Sequence, residues 1–255
     1  MALTGTEGKY IYCIILQGEQ KTFGSIGISG RGDELYTLYF NGIGAVVSNS
    51  PIMKYQVNRE NLLCHERAIE EVMKYHTVLP VRFGTIAEDE KQVKKILEKE
   101  YIRFRQLLDD MDGKKELGLK AVFKEKAIYE DILNNYDEIR IRKERIACEL
   151  AEKTHHQRME IGKLVEAALE KEKKKYKEDI LHTLMPICED VKINNTYGER
   201  MILNAAFLVN KHREAAFDIK VNELSDRYID LVKFKYVGTL PPFNFVNISI
   251  NTGDY

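Results

Sequence analysis

The sequence has no excess charge of either sign, no long apolar run and no closely spaced cysteine pair, and each absence excludes a class of protein. Its 39 Lys and Arg nearly balance its 40 Asp and Glu, whereas nucleic-acid binding needs a basic face that displaces counterions. No apolar run approaches the roughly 20 residues that span a bilayer. The four cysteines form no C-x-x-C pair, and the first ten residues lack the basic start and apolar core of a secretory signal. We therefore expect a cytoplasmic protein that binds neither nucleic acid nor membrane.

Sequence motifs for catalysis, metal binding and cofactor binding are also missing. His65 and Glu66 are adjacent, and neighbours on a helix point about 100° apart, so the two cannot address one substrate from one face. His155 and His156 are adjacent as well, whereas two metal ligands on a helix need a spacing of four. The glycine-rich segment 27–33 leads into a strand rather than a helix N-terminus, which argues against phosphate binding. We expect no catalytic site, no metal and no cofactor.

The hydrophobic pattern of residues 1–113 predicts an α+β domain. The dipeptide Asn41-Gly42 lies between two apolar alternating runs, which is the strongest short-range signal of a β-hairpin. Asn58 is a suitable N-cap for the helix that follows it. The predicted elements are a buried strand at 9–16, the hairpin strands 35–40 and 43–48, a helix after Asn58, a short strand at 78–84 and one helix over 88–111.

Residues 114–255 predict a second α+β domain with the element order β–α–β–β–α–β. Its strands are expected at 116–123, 188–193, 201–209 and in the terminal region, with a last helix over 213–228. A charged helical run at about 125–184 is inserted between the first two strands. This order is that of a ferredoxin-like fold, and we expect the N-terminal domain to be a smaller, related sandwich.

Two segments combine strand-like residues with proline in an unusual way. In 78–85 an apolar run encloses Arg82, which either forms a structural fork to a carboxylate or to backbone carbonyls, or binds a partner. In 236–250 the prolines at 241 and 242 interrupt a strand. Phe243 and Phe245 alternate with a polar residue, so we expect both rings on one strand face, either as core or as a partner-binding edge.

Several blocks of the chain, in order, resemble those of the gas vesicle F/L family. They are YIYCIIL at 10–16, His65-Glu66 followed by VLPVRFGT at 78–85, ELGLK at 116–120, NAAFLV at 204–209 and GTLPPFNFV at 238–246. The family typically has Gly-Pro-Trp-Pro-Pro-Tyr where this chain has Gly-Thr-Leu-Pro-Pro-Phe at 238–243. The first proline, the tryptophan and the tyrosine hydroxyl are therefore missing here, while the apolar Pro-Pro-aromatic core is kept.

The resemblance implies a non-enzymatic accessory or minor structural protein of gas vesicle assembly, located at the gas vesicle in the cytoplasm. Such a protein is expected to contact the hydrophobic shell protein and other accessory proteins. The candidate partner-binding residues are Arg82, Phe83, Pro241, Pro242, Phe243 and Phe245. The alternative is a small-molecule-binding or catalytic α+β protein with a pocket around Arg82. A deep polar cleft at Arg82 would favour that alternative, and an exposed apolar edge would favour the accessory protein.

Overall fold

Residues 6–16, 22–147 and 155–255 are described by a computed structural model. The chain forms two units, one comprising the residues up to Glu116 together with Thr239–Tyr255, and the other comprising Leu117–Gly238. The division into domains at residues 113 and 114 stays a prediction. The predicted division assigns the terminal segment to the second domain. In the structure, residues 239–255 belong to the first unit, because Val246 and Ile248 are buried in the core of that unit.

The first unit is built on a five-stranded sheet with the order β2–β3–β1–β4 and with β5 also paired to β1. The Asn41-Gly42 hairpin is confirmed, since Phe40 pairs with Ile43 and both turn residues have positive φ. Every described pairing between the named strands of this sheet is antiparallel. The strands are β1 (Glu7–Leu16), β2 (Tyr36–Phe40), β3 (Ile43–Pro51), β4 (Val78–Pro80) and β5 (Ile86–Ala87).

Strand β1 is buried on both faces because helices cover both sides of the sheet. The register shifts between Ile11 and Cys13, so this bulge turns Tyr12 and Cys13 to the same side. That side packs against α1 (Arg59–Met73). Asn58 is the N-cap of this helix, and its side chain accepts a hydrogen bond from the backbone N–H of Asn61 at 2.9 Å.

The other side of the sheet packs against two helices, α2 (Glu90–Lys99) and α3 (Tyr101–Met111). The prediction of one helix over 88–111 is therefore wrong. The break lies at Glu100 (φ −93°, ψ 7°), which lets the apolar faces of both helices reach one core cluster. The apolar stripe continues through the break, which is why its periodicity alone does not reveal it.

The second unit contains a four-stranded sheet with the order β7–β8–β6–β9. As predicted, residues 116–123 and 201–209 lie in the same sheet, and their strands are neighbours. The strands are β6 (Lys114–Phe123), β7 (Asp190–Ile193), β8 (Met201–Asn210) and β9 (Val232–Leu240). The helices are α4 (Glu125–Asn135), α5 (Asp137–Ala147), α6 (His155–Leu184) and α7 (Glu214–Arg227).

The helices α4 to α6 stand between β6 and β7, where the inserted helical run was expected. The part of that prediction that covers 148–154 lies outside the described residues. The described cysteines, Cys13, Cys64 and Cys188, are free thiols.

Candidate partner-binding site

The two unusual sequence segments lie side by side in the first unit. Val81 pairs with Ile248 in a parallel bridge, and the backbone N–H of Arg82 donates to the carbonyl of Ile248 at 3.0 Å. On its other side, the N–H of Val81 donates to the carbonyl of Tyr12 at 2.9 Å. The terminal segment therefore extends the sheet at the residues that follow β4. As a result, the candidate residues of segments 78–85 and 236–250 lie in one region of the first unit.

After β9 the terminal segment forms a turn rather than a second strand. The prediction that Phe243 and Phe245 lie on one face of such a strand is therefore wrong. The N–H groups of Phe245 and Val246 donate to the carbonyl of Pro242 at 3.1 and 2.8 Å, which curls the chain back on itself. Pro241 and Pro242 are buried, Phe245 is half-buried, and Phe243 is 41% exposed. Phe243 is thus the ring that the turn presents to solvent.

A buried carboxylate holds this turn in place. Glu116, the third residue of β6, is 2% exposed. Its Oε2 accepts the backbone N–H of Asn244 at 2.9 Å and its Oε1 accepts the side-chain amide of Asn244 at 2.5 Å. Burial raises the pKa of Glu116, and the two donors from Asn244 oppose that rise. Sequence reasoning missed this role, although an acid inside the apolar run ELGLK was the available signal.

His65 is 4% exposed, and both of its ring nitrogens form hydrogen bonds. Because a carbonyl can only accept, Nε2 donates to the carbonyl of Val81 at 3.1 Å, and Nδ1 accepts from the hydroxyl of Tyr10 at 3.1 Å. That hydroxyl accepts in turn from the backbone N–H of Gly84 at 2.9 Å. Burial lowers the pKa of His65 to about 4, so the ring is neutral near pH 7 and ties α1 to the loop that carries Arg82.

An open groove of about 460 Å³ lies where these elements meet, and we call it the Arg82 groove. Its polar lining comes from His65, Glu66, Arg82 and Asn247. Arg82 is exposed, and among the described residues no carboxylate lies within ion-pairing distance of its guanidinium. The remaining lining is apolar and consists of Leu62, Pro80, Val81, Phe83, Phe243, Val246 and Ile248.

Exposed apolar side chains border the Arg82 groove. Leu62 and Phe243 are each 41% exposed, which gives the groove an apolar rim, and its histidine is fixed by two hydrogen bonds. Within the described ranges, no group of three or more His, Cys, Asp or Glu side chains is arranged to hold a metal ion. In the same ranges, no helix is both long enough and apolar enough to cross a membrane.

A family model described as gas vesicle synthesis protein GvpL/GvpF matches residues 8–247. The chain belongs to the GvpL/GvpF family. The resemblance found in the sequence is thereby confirmed, and membership in the GvpL/GvpF family supports a role in gas vesicle assembly. Gas vesicle protein F of Nostoc sp. is 25% identical over 251 residues, which cover 96% of this chain and all of that protein. Gas vesicle protein F1 of Halobacterium salinarum is 25% identical over 248 residues, covering 96% and 95% of the two chains.

Two crystal structures of GvpL/GvpF family members share the fold. The gas vesicle protein GvpF from Anabaena sp. PCC7120 matches with a TM-score of 0.81 at 24% identity, covering 96% of this chain and 100% of that one. GvpF from Microcystis aeruginosa matches with a TM-score of 0.73 at 22% identity, covering 93% and 98%. These likenesses confirm the predicted mixed α and β fold class.

Proposed function

We propose that this protein is a non-enzymatic accessory of gas vesicle assembly that binds the hydrophobic shell protein and other accessory proteins through the Arg82 groove. The observation that carries the proposal is the meeting of two distant segments at one apolar groove, with Phe243 exposed at its rim. Membership in the GvpL/GvpF family supplies the process. The expected location is the gas vesicle and the surrounding cytoplasm, and no cofactor is required.

The physical demand on such an accessory protein is to cover apolar surface before assembly. A shell subunit with a large apolar face would aggregate unless another surface shields it. A groove lined by rigid apolar groups suits this task, because little conformational entropy remains to be lost on binding. The buried prolines and the hydrogen bonds from Asn244 to Glu116 keep the turn rigid.

The candidate residues have different roles in this proposal. Phe243 is the anchor that enters an apolar recess of the partner, and Arg82 and Phe83, which line the same groove, contact the partner beside it. Pro241 and Pro242 are buried and act by positioning the turn. Phe245 is half-buried in the same turn, so we expect its truncation to affect stability as well as binding.

We further infer that the second unit is ferredoxin-like and that the predicted N-terminal domain, residues 1–113, is a smaller sandwich of related kind. The spatial order β9–β6–β8–β7 corresponds to strands four, one, three and two of a β–α–β–β–α–β chain. The helices α4 to α6 fill the first connection and α7 fills the second. A crystal structure of residues 114–240 with the same strand order would support this assignment, and failure of that fragment to fold would argue against an independent domain.

The proposed function is tested with Phe243→Ala in the full chain and with purified shell protein from the same gas vesicle gene cluster. We expect the melting temperature to fall by only about 2–6 °C, because the ring is partly buried and 41% exposed. The affinity for the shell protein should fall by about 2 kcal/mol, or roughly 30-fold, as for an anchor residue at an interface.

Ile102→Ala is the matched control, because Ile102 is 72% exposed on α3 and does not line the groove. Its affinity for the shell protein should equal that of wild type. Unchanged affinity of Phe243→Ala, or a large loss of stability with binding retained per folded molecule, would refute the groove as the binding site.

A further inference from the structure

A second groove adjoins the Arg82 groove and shares two of its lining residues, Arg82 and Phe83. Its volume is about 660 Å³, and its lining comes from three stretches, 52–57, 82–86 and 249–252. Both grooves therefore share Arg82 and Phe83 as a common wall. None of the residues in 52–57 or 249–252 stands out in the sequence as a candidate for binding.

The stretch 52–57 gives the second groove an exposed apolar rim. Ile52 is 44% exposed, Met53 is 48% exposed and Val57 is 78% exposed. These three residues lie within six positions of the end of β3. Tyr55 lies between them and is buried, and its hydroxyl forms a hydrogen bond with the hydroxyl of Ser50 at 2.8 Å. This anchor fixes the backbone, so the exposed apolar side chains stay beside the groove. Clustered exposed apolar side chains of this kind are typical of contact surfaces.

The charges in the second groove all have one sign. Lys54 and Arg82 line it, and no Asp or Glu among the described residues does so. Neither cation has an ion-pair partner in the described part of the chain. By contrast Arg31, in the same unit, pairs with Glu7 at 2.7 Å. Two unneutralised cations beside exposed apolar groups complement a ligand that is both anionic and apolar.

We propose that the second groove binds an acidic amphipathic segment of a gas vesicle partner protein, whose carboxylates pair with Lys54 and Arg82 while its apolar side chains pack on Ile52, Met53 and Val57. The inference rests on the proposed function and names the chemistry of the partner. A segment that crosses the shared wall would occupy both grooves. Two cations release few counterions, and the net charge of the chain is −1, so a protein segment fits better than nucleic acid or an anionic membrane.

The test measures binding of the full chain to the purified shell protein and to each purified accessory protein of the same gene cluster. The variants are Lys54→Gln, Arg82→Gln and the double variant, with Lys94→Gln as the control, an exposed lysine on α2 that lines neither groove. Affinity for at least one partner should fall about fivefold for each removed charge and about 25-fold for both. Raising NaCl to 1 M should weaken wild type far more than the double variant.

A second readout identifies the partner groups directly. A carbodiimide joins the Nζ of Lys54 to a carboxylate that lies against it, and mass spectrometry then locates the resulting amide. We expect Lys54 to be joined to an Asp or Glu of the partner, and we expect no such product at Lys94.

The outcomes separate this inference from the proposed function. If Phe243→Ala weakens binding while the double variant binds every partner like wild type, the second groove is not the acidic-segment site and the proposed function stands. If no gas vesicle protein binds the wild-type chain, both are refuted. Binding of vesicles of three parts phosphatidylcholine to one part phosphatidylglycerol, or of an oligonucleotide, that is lost in the double variant would assign the groove to a different ligand class and also overturn the inference.

Discussion

Protonation of His65 should make the protein less stable in mild acid, and His65→Gln should remove that sensitivity. The pKa of His65 is about 4 in the folded chain, against an ordinary value of 6.5. Between these two pH values the unfolded chain binds a proton that the folded chain does not. The free energy of unfolding therefore falls as the pH drops from 6.5 towards 4.

The size of the effect follows from the two pKa values. Lowering the pH from 7.0 to 4.5 should cost about 2 kcal/mol of unfolding free energy through His65 alone. Glu116 acts in the opposite direction, since its pKa is raised by burial and its protonation on acidification favours the folded state. The comparison with His65→Gln cancels this and every other titrating group, because both proteins share them.

The assay is urea-induced unfolding followed by far-ultraviolet circular dichroism at pH 7.0 and 4.5. Wild type should lose about 2 kcal/mol more than His65→Gln between the two pH values. His156→Gln is the control, because this side chain is 85% exposed, and it should behave like wild type. Equal losses in wild type and His65→Gln would refute the neutral, hydrogen-bonded state derived for His65.

Two further predictions concern the terminal segment. Glu116→Ala should destabilise the protein by about 1–3 kcal/mol, because both acceptors of the hydrogen bonds from Asn244 are removed. Urea unfolding measures this, and the exposed Glu98→Ala should have little effect. Ile248→Ala should cost about 2–4 kcal/mol by the same measurement, since Ile248 is 1% exposed. The exposed Asn247→Ala should stay near wild type, and a small effect at Ile248 would contradict its place in the core.

The sequence predicts much of the local structure because local signals determine it. Asn41-Gly42 fixes the hairpin, and Asn58 fixes the start of α1. The break at Glu100 is missed because α2 and α3 continue one apolar stripe. The turn after Pro242 is missed because it depends on the hydrogen bonds to Glu116, more than 100 residues away in the chain.

The sequence identifies individual residues of the candidate site but does not show that they lie close together. Arg82 and Phe243 stand out because apolar and proline-rich neighbours surround them, but no local pattern shows that their segments meet through Val81 and Ile248. Lys54 is missed for a different reason. An isolated lysine in a loop looks like any solvated lysine until the structure shows that none of the described residues lining the groove beside it is acidic.

The division of the first unit between two distant parts of the chain sets the time at which the protein can act. About 120 residues separate Glu116 from Thr239, and a ribosome adds them in about 6–24 s at 5–20 residues per second. During that interval Val81 lacks its partner Ile248, and Phe243 does not yet exist. A nascent or prematurely terminated chain thus cannot display the complete Arg82 groove, and only chains translated through the terminal segment can form it.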